Sequence, residues 1–430
     1  MHEGTTGPGA GAVLLDGVLQ LPERRLPARG GRRAAADPDE DAITLAAAAV
    51  LALLARRPGV RPAALLFATV SPPYAAGGNV QPLAELTGLQ GDVVALELTA
   101  TVRDGAAALR LAAALARERG PVLVAAAHRA SEGGEEGDGA AAVLIGAGAG
   151  AAAVVPGAAR AEEARERWRL EAEPGVREGD PTVTTAHLEQ RVRAVLEAGA
   201  PPPAVVSLAG VRATDRTERA LGGSGDPVAP RAGLLGAAHP LARLLVGLDA
   251  PQVLVATANG LTEAVATAPL AGAGEVAARA RAALEAGVEA DAPLPAGGDP
   301  EGFSPYQSLP RAWRERGAEL RLEAASCAGC GRIVYPPPAG ACPSCGRPGP
   351  HRPALLGREG SVLTHTRDHA YPGAAGTGMA VVELDGGGRF YGQVVPSGEV
   401  RVGERVRLVP RVLHRGGGVV QYFWKVEPCR

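Results

Sequence analysis

The sequence predicts an α/β protein whose C-terminal third is a separate, metal-stapled and largely all-β region. Three observations carry this. Between residues 40 and 260, helix-type segments alternate with short apolar runs, the pattern of buried strands with helices on both faces of a sheet. At 327–345, two C-x-x-C pairs stand eleven residues apart. Beyond residue 355 the pattern changes to short β-rich runs broken by Gly-rich turns, five or so in number, which suit a small barrel of the OB type.

The first series begins with the apolar stretch AVLLDGVLQLP and an Arg-rich loop. DEDAITLAAAAVLALLARR (40–57) has acids at its start, Arg at its end and no Gly or Pro inside, so it reads as a buried helix aligned with its macrodipole. A strand over 63–70, a helix over 82–88, a strand over 93–98, a helix over 104–120 and a strand over 121–127 follow. The acidic loop SEGGEEGDG (131–139) reads as a solvated turn before the apolar AAAVLIGAG. A second, shorter series has helices over 184–199 and 239–248 and strands over 204–210 and 252–260, which suggests an internal duplication. Residues 1–286 thus form one domain, 287–303 a Pro/Gly/acid linker, 304–350 a helical lead-in with the cysteine turns, and 351–430 the β-rich domain.

Cys327, Cys330, Cys342 and Cys345 are four of only five cysteines, and Gly follows each pair at 331 and 346. Two such tight turns present four thiolates to one point, the donor set of a structural zinc ribbon, with no position left for water. Two disulfides or four unrelated free thiols are the competing readings of these residues, and the ribbon spacing favours Zn2+. Cys429 stands apart as an incidental thiol.

Hydrophobic residues make up 46% and charged ones 21%, as in globular proteins generally, and no run reaches the about eighteen apolar residues of a membrane span. MHEGTTGPGAGAVLLDG has no basic stretch ahead of an apolar one, so no secretory signal is expected. Together with reduced cysteines this points to the cytoplasm. A net charge of -2 argues against nucleic acid as a partner of the whole chain. Lys425 is the only lysine, so nearly all positive charge is Arg. With the load of Ala, Gly and Pro, this is the mark of GC-rich coding, and it makes Arg and Gly counts poor functional signals.

Residues 304–430 resemble the zinc-ribbon plus OB-fold domain that partners thiolases and acyl-CoA enzymes. The matching features are the helix with Trp313, the four cysteines, VYPPPAGACPSCG, GREGSVLTHT, RVGERVRLV and YFWKVEP. Residues from about 10 to 285 resemble the thiolase superfamily, nearest to 3-hydroxy-3-methylglutaryl-CoA synthases and ketoacyl synthase III, through DEDAITLAAAA, LLFATVSPPY, GAAALRLAAALA, EEGDGAAAVLIG and GLLGAAHPLARLL. This resemblance implies a five-layered αβαβα fold, a homodimer and a coenzyme A thioester as ligand. It also implies a nucleophilic cysteine just before the GxxAL helix start, where Val102 stands here. The family's later His falls at Ala209, Gly210 or Val211, its Asn at Leu234 and its Glu at Val70, so no catalytic residue is assigned.

Three functions compete. A thiolase-like pseudoenzyme can serve as a scaffold or accessory subunit that holds an acyl-CoA or docks an active thiolase or acyl-CoA enzyme partner. An active condensing or acyl-transfer enzyme needs relocated residues, with Thr99 or Thr101 as nucleophile and His128, His187 or His239 as base. A nucleic-acid-binding OB protein draws on Phe390, Tyr391, Tyr422 and Phe423 as stacking residues and on the net positive charge of residues 351–430.

Overall fold

The computed structural model describes residues 11–131, 134, 136–168, 170, 177–199, 206–209, 218–219, 221–223, 225–294, 308–369, 376–416 and 418–429. They form two compact units. The first takes in the chain up to Ala36, Ala49–Gln81 and Gly91–Asp291, and the second Asp37–Ala48, Pro82–Gln90 and Ala292–Arg430. The boundary after Asp291 falls inside the 287–303 stretch read as a linker; residues 295–303 lie outside the described residues, as do 304–307 of the lead-in.

The strands of the first unit are β1 (Val13–Gln20), β2 (Arg24–Ala28), β3 (Gly31–Ala35), β4 (Ala64–Thr69), β5 (Val94–Leu98), β6 (Val122–His128) and β7 (Gly139–Gly146). They continue with β8 (Ala152–Ala161), β9 (Arg167–Trp168), β10 (Arg177–Glu178), β11 (Val206–Ala209), β12 (Gln252–Ala258), β13 (Leu261–Pro269) and β14 (Val288–Glu289). Helices α1 (Ala42–Arg56), α2 (Val80–Thr87), α3 (Asp104–Arg119), α4 (Pro181–Gly199), α5 (Ala229–Ala232), α6 (His239–Val246) and α7 (Ala273–Glu285) lie between them in sequence, with a 3-10 turn at Gly236–Ala238; α1 up to Ala48 and α2 from Pro82 count with the second unit.

Nine strands form one sheet in the order β11-β12-β13-β8-β1-β7-β6-β4-β5. It is two half-sheets joined only where Val13 and Leu14 of β1 pair with Ala153 and Ala152 of β8. Counting each series from its own first strand, the first half runs 3-2-4-5-1 and the second 2-4-5-1. The duplication suggested by the sequence is thus a repeat of strand order, with the third strand absent from the second half among the described residues. Parallel pairing recurs at the same place, β4 with β5 and β6, and β11 with β12. β4, β6 and β7 read as continuous apolar runs because every residue in them is buried.

Helix α3 packs between the halves, on β4, β6 and β7 on one side and on β13 and β8 on the other, and α6 shares this middle layer against β7, β1, β11 and β12. α4 covers the second half-sheet through β8, β13 and β12. α3 can lie so close because its inward face is Ala106, Ala108, Leu109, Ala112 and Ala113, all fully buried. The approach is closest at Gly105, where a Cβ would come within 2.1 Å of the Ala237 carbonyl oxygen. β13 and α7, absent from the sequence reading, complete the second half.

The second unit contains α8 (Leu309–Arg321), a three-stranded sheet β16-β15-β17 and a five-stranded antiparallel sheet β20-β19-β18-β21-β22. The strands are β15 (Glu323–Ser326), β16 (Ile333–Val334), β17 (Arg352–Leu355), β18 (Glu359–Asp368), β19 (Thr377–Leu384), β20 (Arg389–Gln393), β21 (Arg405–Gly416) and β22 (Val419–Pro428). The chain leaving β20 reaches back to the far edge of the larger sheet, where Val394 bridges Val426 and the Val395 N–H donates to the Val426 carbonyl at 3.0 Å. Val362, Val382, Phe390, Val406 and Trp424 form its core. No described helix is long and apolar enough to cross a membrane.

Candidate functional site

The two cysteine turns are copies of one another. Gly331 N–H donates to the Cys327 carbonyl at 2.9 Å and Gly346 N–H to the Cys342 carbonyl at 2.8 Å, and both glycines sit at φ +72°. That left-handed conformation is what Gly permits at low cost. In each turn an N–H also points at the first sulfur, Gly329 to Cys327 Sγ at 3.3 Å and Ser344 to Cys342 Sγ at 3.4 Å. Cys327 Sγ lies 3.7 Å from Cys345 Sγ, Cys330 Sγ lies 3.9 Å from Cys342 Sγ, and all four sulfurs fall within 4.8 Å of one another. A tetrahedron of sulfurs about 2.3 Å from zinc has edges of about 3.8 Å, so the four thiols are arranged to hold such an ion. Backbone N–H groups of Cys330 and Gly329 pull the Cys327 thiol down to about 6, which readies one thiolate.

The second candidate is the N-terminus of α3, where Val102 is half-buried. Donors on the approach to it are already taken. The Asp104 carboxylate accepts the N–H of Ala100 at 2.7 Å, the N–H of Thr101 at 2.9 Å and the hydroxyl of Thr101 at 2.9 Å. Asp104 N–H donates to the Thr101 carbonyl, and Ala106 N–H to that of Arg103. The Ala237 carbonyl presses on Gly105. What meets this helix start is therefore a carboxylate and a carbonyl, both acceptors, where an oxyanion would need donors.

The proposed substitutes do not converge. Thr99 is exposed, and Thr101 Oγ1 is bonded to Asp104 rather than to a histidine. His187 lies exposed on α4. His128 is buried at the end of β6, with Nε2 3.1 Å from Glu136, whose carboxyl is held down to about 2 by that histidine and by Arg167 against the cost of burial. His239 begins α6, as the sequence suggested, and its Nε2 lies 2.7 Å from Asp226. Burial would raise the Asp226 carboxyl, but His239 and Arg243 hold it below the usual range. Val70 is partly buried against the core and the Leu234 carbonyl accepts the Gly137 N–H. Ala209 ends β11, while Gly210 and Val211 lie outside the described residues.

Two readings of the sequence need correction. The SEGGEEGDG loop is not simply solvated, because Asp138 is buried and accepts from Ala36 N–H, Ala130 N–H and the Arg129 guanidinium. The aromatic set of the larger sheet is mostly core. Phe390 is buried and stacks on Phe423 with centroids 5.7 Å apart, and Tyr422 donates to Asp41. Tyr391 alone of the four is exposed, at 60%.

Comparison with known proteins adds the family context. Residues 314–351 match the ChsH2 rubredoxin-like zinc ribbon domain. The first unit has a thiolase-like fold. Its structural relatives include MvaS in complex with 3-hydroxy-3-methylglutaryl coenzyme A, at 15% identity and a TM-score of 0.55 over 69% of this chain and 94% of that one. The curacin-pathway HMG synthase with its holo donor acyl carrier protein gives 14% and 0.54 over 65% and 86%. The 3-oxoacyl-[acyl-carrier-protein] synthase III of Aquifex aeolicus gives 19% and 0.51 over 60% and 100%. No curated protein sequence matches the chain. Within the thiolase-like fold, Val102 and Asp104 occupy the start of the helix that runs between the half-sheets.

Proposed function

We propose that the chain is an acyl-CoA-handling accessory protein, a thiolase-like pseudoenzyme stapled by a structural zinc at Cys327, Cys330, Cys342 and Cys345. The observation that carries this is the self-sealed start of α3. Val102 offers no nucleophile, and the Asp104 carboxylate, which accepts the Ala100 and Thr101 N–H groups, sets a negative charge where an oxyanion would need donors. The zinc ribbon and the acyl-CoA-binding relatives of the fold support a role beside acyl thioesters, either holding one or docking the enzyme that acts on it. Labelled acetyl-CoA in equilibrium dialysis tests this. The expected result is retention by the native chain with no label on the chain after denaturation. Label that stays with the denatured chain at a turnover-competent rate overturns the reading.

The same proposal includes a homodimer. β5 ends the nine-stranded sheet, and its Ala95 and Leu96 are exposed, with Leu96 at 40%. An apolar, unpaired edge strand is a template for pairing with another chain. Light scattering should report a dimer at micromolar concentration and a shift toward monomer for Leu96→Lys. A monomeric wild-type chain removes the dimer from the proposal.

A further inference from the structure

Five carboxylates gather in the second unit around the segment DPDED. Asp37 accepts the N–H and the hydroxyl of Ser397, at 3.3 and 2.5 Å. Asp39 lies 2.8 Å from Lys425 Nζ and 3.6 Å from Arg411 Nε, and its carbonyl accepts the Val412 N–H at 2.8 Å. Glu40 accepts the Asp37 N–H at 2.8 Å and lies 3.4 Å from Arg411. Asp41 accepts the Tyr422 hydroxyl at 2.8 Å and lies 3.9 Å from Arg415. Glu427 is shared between Arg411 and Arg407.

The charges do not balance. The side chains of Asp37, Asp39, Glu40 and Asp41 are almost entirely enclosed, and among the described residues only two cations, Arg411 and Lys425, are enclosed with them. Arg407 and Arg415 keep about half of their side-chain surface in solvent. Buried carboxylates without a cation each are costly, and the cheapest remedy is a proton. We propose that residues 37–41 and strands β21 and β22 form a proton-operated clasp, shut while one proton sits among these carboxylates and loosened when it leaves.

Glu40 is the member of the cluster with the acids Asp37 and Asp39 beside it, while burial also raises the Asp41 carboxyl against its bonds from Thr44 and Tyr422. Burial, with Asp37 and Asp39 alongside, raises the Glu40 carboxyl to about 7 against the pull of Arg411 and the Asp37 N–H. The groups facing Glu40 are those two acids on its own segment and Arg411 from β21, with Glu427 and Lys425 of β22 one ion pair further away. An acid with a raised value in the folded chain stabilises it most below the ordinary carboxylate range, and that contribution is lost as pH rises through about 7. Glu40 then ionises beside Asp37 and Asp39, its proton passes to solvent, and the segment is repelled from within.

Lys425 reports the opening, because an enclosed amine is acylated only when the clasp is open. At about pH 8.5, a succinimidyl acetate pulse should modify Lys425 in Glu40→Gln about tenfold more slowly than in the wild type, and at about pH 6 the two rates should agree. Equal rates at both pH values overturn the clasp. Should the variant not fold, the wild type alone decides. Its Lys425 to N-terminal amine labelling ratio, divided by the same ratio in the urea-unfolded chain, should rise about tenfold between those pH values, and a flat quotient overturns it.

Discussion

Cys327→Ser should reduce bound zinc from about one equivalent to under about a tenth, while Cys429→Ser should leave it unchanged. Cys327 is one of four sulfurs held at tetrahedral spacing, whereas Cys429 is exposed and outside that cluster. The effect is large because metal affinity here is also folding energy, on the order of 10 kcal/mol for structural zinc at neutral pH. The ribbon sheet is small, β15 pairing with β16 over two residues and with β17 over four, too little sheet to stand without the ion. Loss of zinc should therefore appear with loss of β-structure in the circular dichroism of the variant. Less than half an equivalent in wild-type protein purified without chelators counts against the site. The same ions should leave as pH falls, because each ligand must be a thiolate to bind.

Val102→Cys should not restore acyl transfer, and the reason is Asp104. A thiol at this helix start gains reactivity from free N–H groups and the helix dipole. Here the Ala100 and Thr101 N–H groups just ahead of it bind the Asp104 carboxylate, whose negative charge opposes a second one beside it. Val102→Cys alone should carry a thiol at or above its ordinary value of about 8.5 and react slowly with iodoacetamide near neutral pH. Adding Asp104→Asn removes the charge, and the double variant should be alkylated about tenfold faster. Equal alkylation of the two at neutral pH would mean that Asp104 does not silence the site.

The alternation of helices and strands was legible because buried strands and helices differ in length and in their punctuation. The segments over 104–119 and 122–128 emerge within a residue of their expected ends. The zinc turns were legible because their chemistry is local: spacing alone brings two sulfurs together in each turn. Strand order was not, since the join between the half-sheets rests on two residue pairs some 140 positions apart in sequence. β13 escaped notice because LTEAVATAP mixes Thr and Glu into a buried run. Glu263 is tolerated there through its ion pair with Arg103 at 2.6 Å, a partner that no local pattern announces. By sequence, the acids at the start of α1 complement its dipole. Asp41 does cap it, accepting from Ile43 and Thr44, but Asp39 and Glu40 turn instead to β21 and β22, more than 370 positions away.

Of the 44 Lys and Arg side chains, all but Lys425 are arginine. The arginines include enclosed ones such as Arg191, Arg243 and Arg411, so burial alone does not select lysine. Lys425 is 5% exposed, on a strand whose neighbours Trp424 and Val426 are also buried, and its ammonium meets Asp39 as a compact point charge. A guanidinium is wider, planar and needs its donors met in one plane, which an enclosed niche shaped for an ammonium does not offer. The lone lysine thus marks the place where shape, rather than charge, sets the residue.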